Sequence, residues 1–183
     1  MTADDQKRAA GEAAAALITT GMTVGLGTGS TAAWFVKALA ARAVPDIRGV
    51  ATSEATAELA ASLGIALLDL DSAGLIDLTV DGADECGPGL ALIKGGGAAL
   101  LREKLVWEAS ARCVVIADVS KTPAATLGRF PLPIEVVAFG HASTARRINA
   151  ALAGCGVAAK AVLRLKDGRP VRTDGSHFLL LWI

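Results

Sequence analysis

Short apolar bursts alternate with stretches of helical spacing from residue 4 to residue 117, and this alternation limits the fold more than any other feature of the chain. Strands are expected at Met22–Leu26, Gly49–Thr52, Ile65–Leu70, Leu75–Val80, Leu90–Ile93 and Cys113–Ala117. Helices are expected between them, over residues 4–19, 31–43, 55–63 and 98–110. Buried parallel strands need cover on both faces, and helical crossovers supply it, so the pattern reads as a parallel sheet with helices on both faces. Aromatic residues make up only 4% of the chain, which leaves Ala, Val, Leu and Ile to build the core.

The character changes near residue 129. Phe130-Pro131-Leu132-Pro133 reads as a linker, followed by a strand (Ile134–Val137), a helix (residues 143–153) and two further strands. Asp-Gly pairs at 167–168 and 174–175 are turn signals beside those strands. The division expected is a catalytic α/β domain over 1–128 and a small α+β domain over 129–183, which stops on the apolar strand Phe178–Ile183 and is read as truncated.

Lys+Arg and Asp+Glu both number 18, so the balance gives no ground for a nucleic-acid or membrane-surface role. Any anionic ligand must be held by local charge and backbone N–H groups. Cys86, Cys113 and Cys155 are far apart and odd in number, neither a disulfide framework nor a zinc spacing. With no basic, apolar leader and no membrane span in view, a cytoplasmic location is expected.

Five motifs carry chemistry. Gly25-Leu26-Gly27-Thr28-Gly29-Ser30-Thr31 runs from a strand into a helix. Its glycines and the free N–H groups of the helix start make a phosphate cradle; the plainer reading is a tight turn with a hydroxyl cap. Its glycine spacing matches neither a P-loop nor a dinucleotide fingerprint. Asp81-Gly82-Ala83-Asp84-Glu85 crowds three carboxylates after a strand, which suits proton transfer or a cation, or forms only a solvated turn. Lys94-Gly95-Gly96-Gly97 sets a cation beside closely approachable backbone. Glu103 shares a helix face with Ala99, Leu100, Val106 and Trp107, an apolar setting that raises carboxylate basicity. Ser120-Lys121 adds a second cation after another strand. Thr52-Ser53-Glu54 reads as a helix cap. Ligands bind at the carboxyl ends of strands in open parallel sheets, so these motifs are expected to converge on one cleft. The set suits proton abstraction beside the carbonyl of a phosphorylated sugar.

The three blocks Gly25–Ala32, Asp81–Glu85 and Lys94–Lys104, with Ala117–Lys121 and Phe130–Val136, closely resemble type A ribose-5-phosphate isomerases. The resemblance implies a Rossmann-like sheet with a ferredoxin-like small domain, and interconversion of ribose 5-phosphate and ribulose 5-phosphate in the non-oxidative pentose phosphate pathway. It implies Glu103 as the base, Asp81 in ring opening, and Asp84 and Lys94 in positioning the substrate and stabilising an enediolate. It assigns substrate binding to Thr28, Gly29, Ser30, Thr31, Gly82, Ala83, Gly95, Gly96, Gly97 and Lys121, with Ser30, Thr31 and Lys121 at the phosphate. It implies no cofactor and no metal, a small-molecule sugar phosphate as partner, and a homo-oligomer, a dimer being expected. The pattern departs near Leu181, where the family carries an acidic residue and then further elements. Two other classes fit part of this pattern: an amino-sugar phosphate isomerase/deaminase, and a sensor domain without chemistry, which would not need Asp81, Lys94 and Glu103.

Overall fold

The computed structural model describes residues 1–122 and 126–183. In chain order the elements begin with α1 (Ala3–Ala15), β1 (Thr23–Leu26), α2 (Ser30–Ala41), β2 (Arg48–Ala51), α3 (Glu54–Ser62) and α4 (Leu70–Ala73). They continue with β3 (Leu78–Asp81), β4 (Glu85–Cys86), β5 (Leu92–Ile93), α5 (Leu100–Glu108) and β6 (Cys113–Val115). The last are β7 (Leu132–Val136), α6 (His141–Gly154), β8 (Ala161–Leu163), β9 (Leu165–Lys166), β10 (Arg169–Pro170) and β11 (Phe178–Trp182).

The central sheet is wholly parallel, in the order β2-β1-β3-β6. Val24 and Leu26 of β1 and Leu78 and Val80 of β3 pack on one face against Ala14, Ala15 and Ile18 and against Phe35, Val36 and Leu39 of α2. Full burial of a Phe35 or Leu39 side chain contributes roughly 1.5–3 kcal/mol. The opposite face holds Val50, Ile76 and Val106, the last from α5. Thr79 points to that second face, where its hydroxyl meets Ser110 Oγ at 2.7 Å. The alternation along β3 therefore sends Leu78 and Val80 one way and Thr79 and Asp81 the other.

Two expected strands of this sheet differ. Ile65–Leu70 yields a single parallel bridge, Gly49 to Leu67, before the chain turns into α4. The strand before Lys94 shrinks to β5 and pairs antiparallel with β4 in a separate two-stranded ribbon. The Lys94 motif thus reaches the cleft from the side and not from a strand of the parallel sheet. Its length explains this: only the four residues Ala91 to Lys94 separate the turn at Pro88–Leu90 from the glycine run, and only Leu92 and Ile93 of them pair as strand.

A second sheet, β7-β11-β8, is antiparallel throughout, with Ile148 of α6 and Phe178 and Leu180 of β11 in one apolar cluster. β7 and β8 flank β11 and are joined through α6, the split βαβ arrangement of ferredoxin-like domains. Leu132 and Pro133, read from sequence as linker, belong to β7, where Pro133 faces Leu181. Proline is tolerated there because β7 has a neighbour on one side only among the described residues. Asp167 and Gly168, both at positive φ, form the two-residue turn of the β9–β10 hairpin.

Candidate active site

The C-terminal ends of β1 and β3 and the start of α5 enclose a cleft of about 110 Å³, lined by twelve of the residues singled out by sequence. These are Thr28, Gly29, Ser30, Thr31, Gly82, Ala83, Asp84, Lys94, Gly95, Gly97, Glu103 and Lys121. Asp81 and Gly96 sit just behind this wall. A larger depression of about 420 Å³, between α3 and α5, is lined by Ser53, Glu54, Leu68, Asp69 and Arg102 and has none of the motif glycines.

At the cradle, Gly29 caps α2 at φ 109°, with no side chain bonded to the helix start. The N–H groups of Ser30, Thr31 and Ala32 precede the first intrahelical bond, which Ala33 makes to Gly29 O, and none has a partner among the described residues, so they can meet an anion. Thr28 is used differently from its neighbours. Its hydroxyl donates to Ser53 Oγ at 2.8 Å and lies 2.7 Å from Thr52 Oγ1. Ser53 passes the chain on to Thr56 at 3.0 Å, and Thr56 donates to Gly27 O at 3.0 Å. Ser53 does cap α3, accepting from Thr56 N at 3.1 Å, as its sequence position suggests. Its second task, bracing the cradle from behind, leaves no mark in sequence.

Asp81 is fully buried. Oδ1 accepts from Gly82 N at 2.7 Å and Thr28 N at 3.1 Å; Oδ2 accepts from Lys94 Nζ at 2.9 Å and Trp107 Nε1 at 3.3 Å. A buried carboxylate is costly without partners, and this one has four. Only glycine fits opposite it, since a Cβ on Gly27 would stand 2.3 Å from Asp81 Oδ1. Trp107, placed by sequence on the apolar face of α5, is therefore also a polar contact of the site.

Lys94 Nζ also donates to Gly82 O at 2.6 Å and lies 3.2 Å from Glu103 Oε2. Glu103 is 4% exposed, and Oε2 receives no well-directed hydrogen bond from the described residues. Burial first, and then the negative charge of Asp81, push the Glu103 carboxyl up to about 7 despite Lys94. A buried carboxylate of raised basicity that lines a cleft is equipped to take a proton from carbon.

Glu85, third carboxylate of its motif, turns away. It accepts from Gly128 N at 2.7 Å and Arg129 N at 3.0 Å, and those bonds hold its carboxyl below the usual range. Asp84 accepts from Gly96 N at 2.8 Å. Lys121 ends a short turn, Val119–Lys121, held by Asp118, which accepts from Ser120 N at 2.9 Å. Among the described residues no three His, Cys, Asp or Glu side chains gather at metal-ligand spacing, and no helix is long and apolar enough to cross a membrane.

Residues 48–182 match the family of ribose 5-phosphate isomerase A (phosphoriboisomerase A). The ribose-5-phosphate isomerase A of Caulobacter sp. (strain K31) is 67% identical over 179 residues, 98% of this chain and 78% of that protein. The protein of the same name from Caulobacter vibrioides (strain NA1000 / CB15N) is 73% identical over 148 residues, 81% of this chain and 65% of its own length. The ribose 5-phosphate isomerase from Plasmodium falciparum superposes with a TM-score of 0.92 at 32% identity, over 98% of this chain and 78% of that one. A D-ribose-5-phosphate isomerase in complex with phospho-erythronic acid gives 0.90 at 36% identity, over 100% and 80%. This chain belongs to the ribose-5-phosphate isomerase A family, and its chemistry is that of an aldose–ketose isomerase.

Proposed function

We propose that the protein interconverts ribose 5-phosphate and ribulose 5-phosphate through an enediolate, with Glu103 as the base. The observation that carries this reading is the buried Glu103 carboxylate, paired with Lys94 at 3.2 Å and lining a cleft that also offers the N–H groups at the start of α2. The phosphate rests on Ser30, Thr31 and the helix start, with Lys121 as its counter-charge. The sugar then extends toward Lys94 and Glu103. A relative at 36% identity, solved with phospho-erythronic acid, supports a ligand that joins a phosphate to a hydroxylated carbon chain.

Glu103 takes the proton from C2 of the open-chain aldose, and the electron pair moves onto the C1 carbonyl oxygen. The resulting negative charge is stabilised by the Lys94 ammonium, with Asp84 holding the neighbouring glycine turn. Return of the proton to C1, with transfer of the O2 proton to O1, gives the ketose and restores Glu103. Asp81 assists ring opening and moves protons on the sugar oxygens; because it is wholly buried behind Lys94, it reaches them through the ammonium. The three free cysteines fit the cytoplasmic setting of such an enzyme.

A direct assay of ribulose 5-phosphate formation by the wild type and by Glu103→Gln tests the reading. Turnover in the wild type and a loss on the order of 10²-fold in the variant are expected. Near-normal turnover by the Gln variant would remove Glu103 from the mechanism.

A further inference from the structure

The second sheet grips both ends of the segment that leads into Glu103. At the near end, the Gly96 peptide is held from two sides. Its N–H donates to Asp84 Oδ2 at 2.8 Å, and its carbonyl accepts from Arg164 Nη1 at 2.7 Å. Arg164 lies between β8 and β9, far from this turn in sequence. The turn is closely packed as well, since a Cβ on Gly96 would stand 2.7 Å from Phe130 Cζ.

At the far end, α5 lacks a cap of its own. Ala99 occupies the cap position and has no side-chain acceptor to give. The N–H of Leu101, second residue of the helix, donates instead to Glu135 Oε2 of β7 at 2.9 Å. This is a borrowed cap: a carboxylate from another element meets the free donors and the positive end of the helix. Glu135 is itself held, its Oε1 accepting from Thr173 Oγ1 at 2.8 Å and lying 3.0 Å from His177 Nδ1. The Glu135 side chain itself is only 8% exposed. Glu103 follows two residues after Leu101.

We propose that Glu135 and Arg164 are positioning residues for the isomerase chemistry: through Leu101 and Gly96 they fix where α5 presents Glu103 and where the glycine turn presents Lys94. Neither side chain lines the cleft. The inference rests on the reading of Glu103 as base. A helix of nine residues is too short for its own propensity to set its place, so its position is decided by packing and by its ends. A shift of about 1 Å in a base can cost on the order of 10²-fold in rate.

The test measures kcat and KM for ribose 5-phosphate, pH profiles and melting curves for Glu135→Ala, Glu135→Gln, Arg164→Ala and Arg164→Lys. For Glu135→Ala we expect kcat to fall about ten- to a hundredfold with KM within about threefold of the wild type. Glu135→Gln should recover part of the loss, since an amide oxygen still accepts from Leu101 N–H. Arg164→Lys should likewise recover part of the Arg164→Ala loss, since an ammonium still reaches the Gly96 carbonyl. The acid limb of the profile should move down toward an ordinary carboxylate as a loosened α5 exposes Glu103. If Glu135→Ala does not fold, Glu135→Gln and Arg164→Ala carry the test. Folded variants with kcat within about twofold of the wild type would overturn the inference alone. So would losses that track melting temperature and are not recovered by Gln or Lys. An inactive wild type would overturn the functional reading, and this inference with it.

Discussion

The Lys94 ammonium lies 3.2 Å from Glu103 Oε2, and yet the Glu103 carboxyl stands at about 7, because burial and the charge of Asp81 outweigh the lysine. On the proposed reading of Glu103 as the base, it is protonated, and idle, in acid. We predict that kcat/KM rises with pH along a limb near 7, the free-enzyme value of the base. In Glu103→Gln kcat should drop on the order of 10²-fold or more, and the residual rate should lack that limb. Steady-state rates across pH check both points.

The same carboxyl links pH to stability. As pH rises from the ordinary carboxylate value of 4.5 toward about 7, the unfolded chain releases this proton while the folded protein retains it. Stability is thus lost progressively across that window, and the cost is complete above it. Glu103→Gln carries no such cost. Its melting temperature should exceed that of the wild type near pH ~8 and converge with it near pH ~4.5, which calorimetry at the two pH values can measure.

Ser30, Thr31 and Lys121 line the part of the cleft read as the phosphate site. Lys121→Ala is predicted to raise KM, on the order of tenfold, with a smaller change in kcat, as expected when binding common to ground and transition states is lost. Inorganic phosphate and sulfate should compete with substrate, and free ribose should turn over far more slowly. Equal turnover of ribose and ribose 5-phosphate would dismiss this use of the site.

Gly27 faces Asp81 with no room for a side chain: a Cβ there would meet Oδ1 at 2.3 Å and the Asp81 Cα at 2.5 Å. The neighbours are buried and partly backbone, so little can yield. Gly27→Ala should cost about 1–3 kcal/mol of stability. It should also displace the carboxylate that holds Lys94, so activity is expected to fall further than stability alone explains. Denaturant melts beside kinetics at a temperature where the variant is folded separate the two effects.

Most of the cleft is readable in order along the chain, because Ser30, Thr31, Asp81, Asp84, Lys94 and Glu103 stand in short blocks whose glycines and charges betray close backbone approach. The parallel sheet is readable because its central strands, β1 and β3, are short, mostly apolar runs buried on both faces. Pairing is not readable at this level. Leu92 and Ile93 look like any other buried burst, and only three-dimensional proximity decides that they join Glu85 and Cys86. Ile65–Leu70 has strand composition, but Asp69 and Leu70 turn into α4 after one bridge to Gly49. The contacts that Thr52, Trp107, Glu135 and Arg164 make are not legible in the sequence, because each bonds a partner far away along the chain. A hydroxyl, an indole, a carboxylate and a guanidinium at those positions have ordinary explanations as cap, core or surface.

The β4–β5 ribbon places Lys94 one residue past a two-residue pairing, Glu85 with Ile93 and Cys86 with Leu92. So short a pairing is held in register by its turn, where Gly87 N donates to Ala91 O at 2.8 Å, and by the bond from Asp84 N to Ile93 O at 2.8 Å. Side chains on a strand alternate sides, so a slip of a single residue turns each one over. Removing one residue from Gly87–Ala91 would swing the lysine out of reach of Asp81 and Glu103 while deleting nothing that touches either. The length of this hairpin tip is thus a constraint on the chemistry in its own right, and homologous chains should vary its residues far more freely than their number.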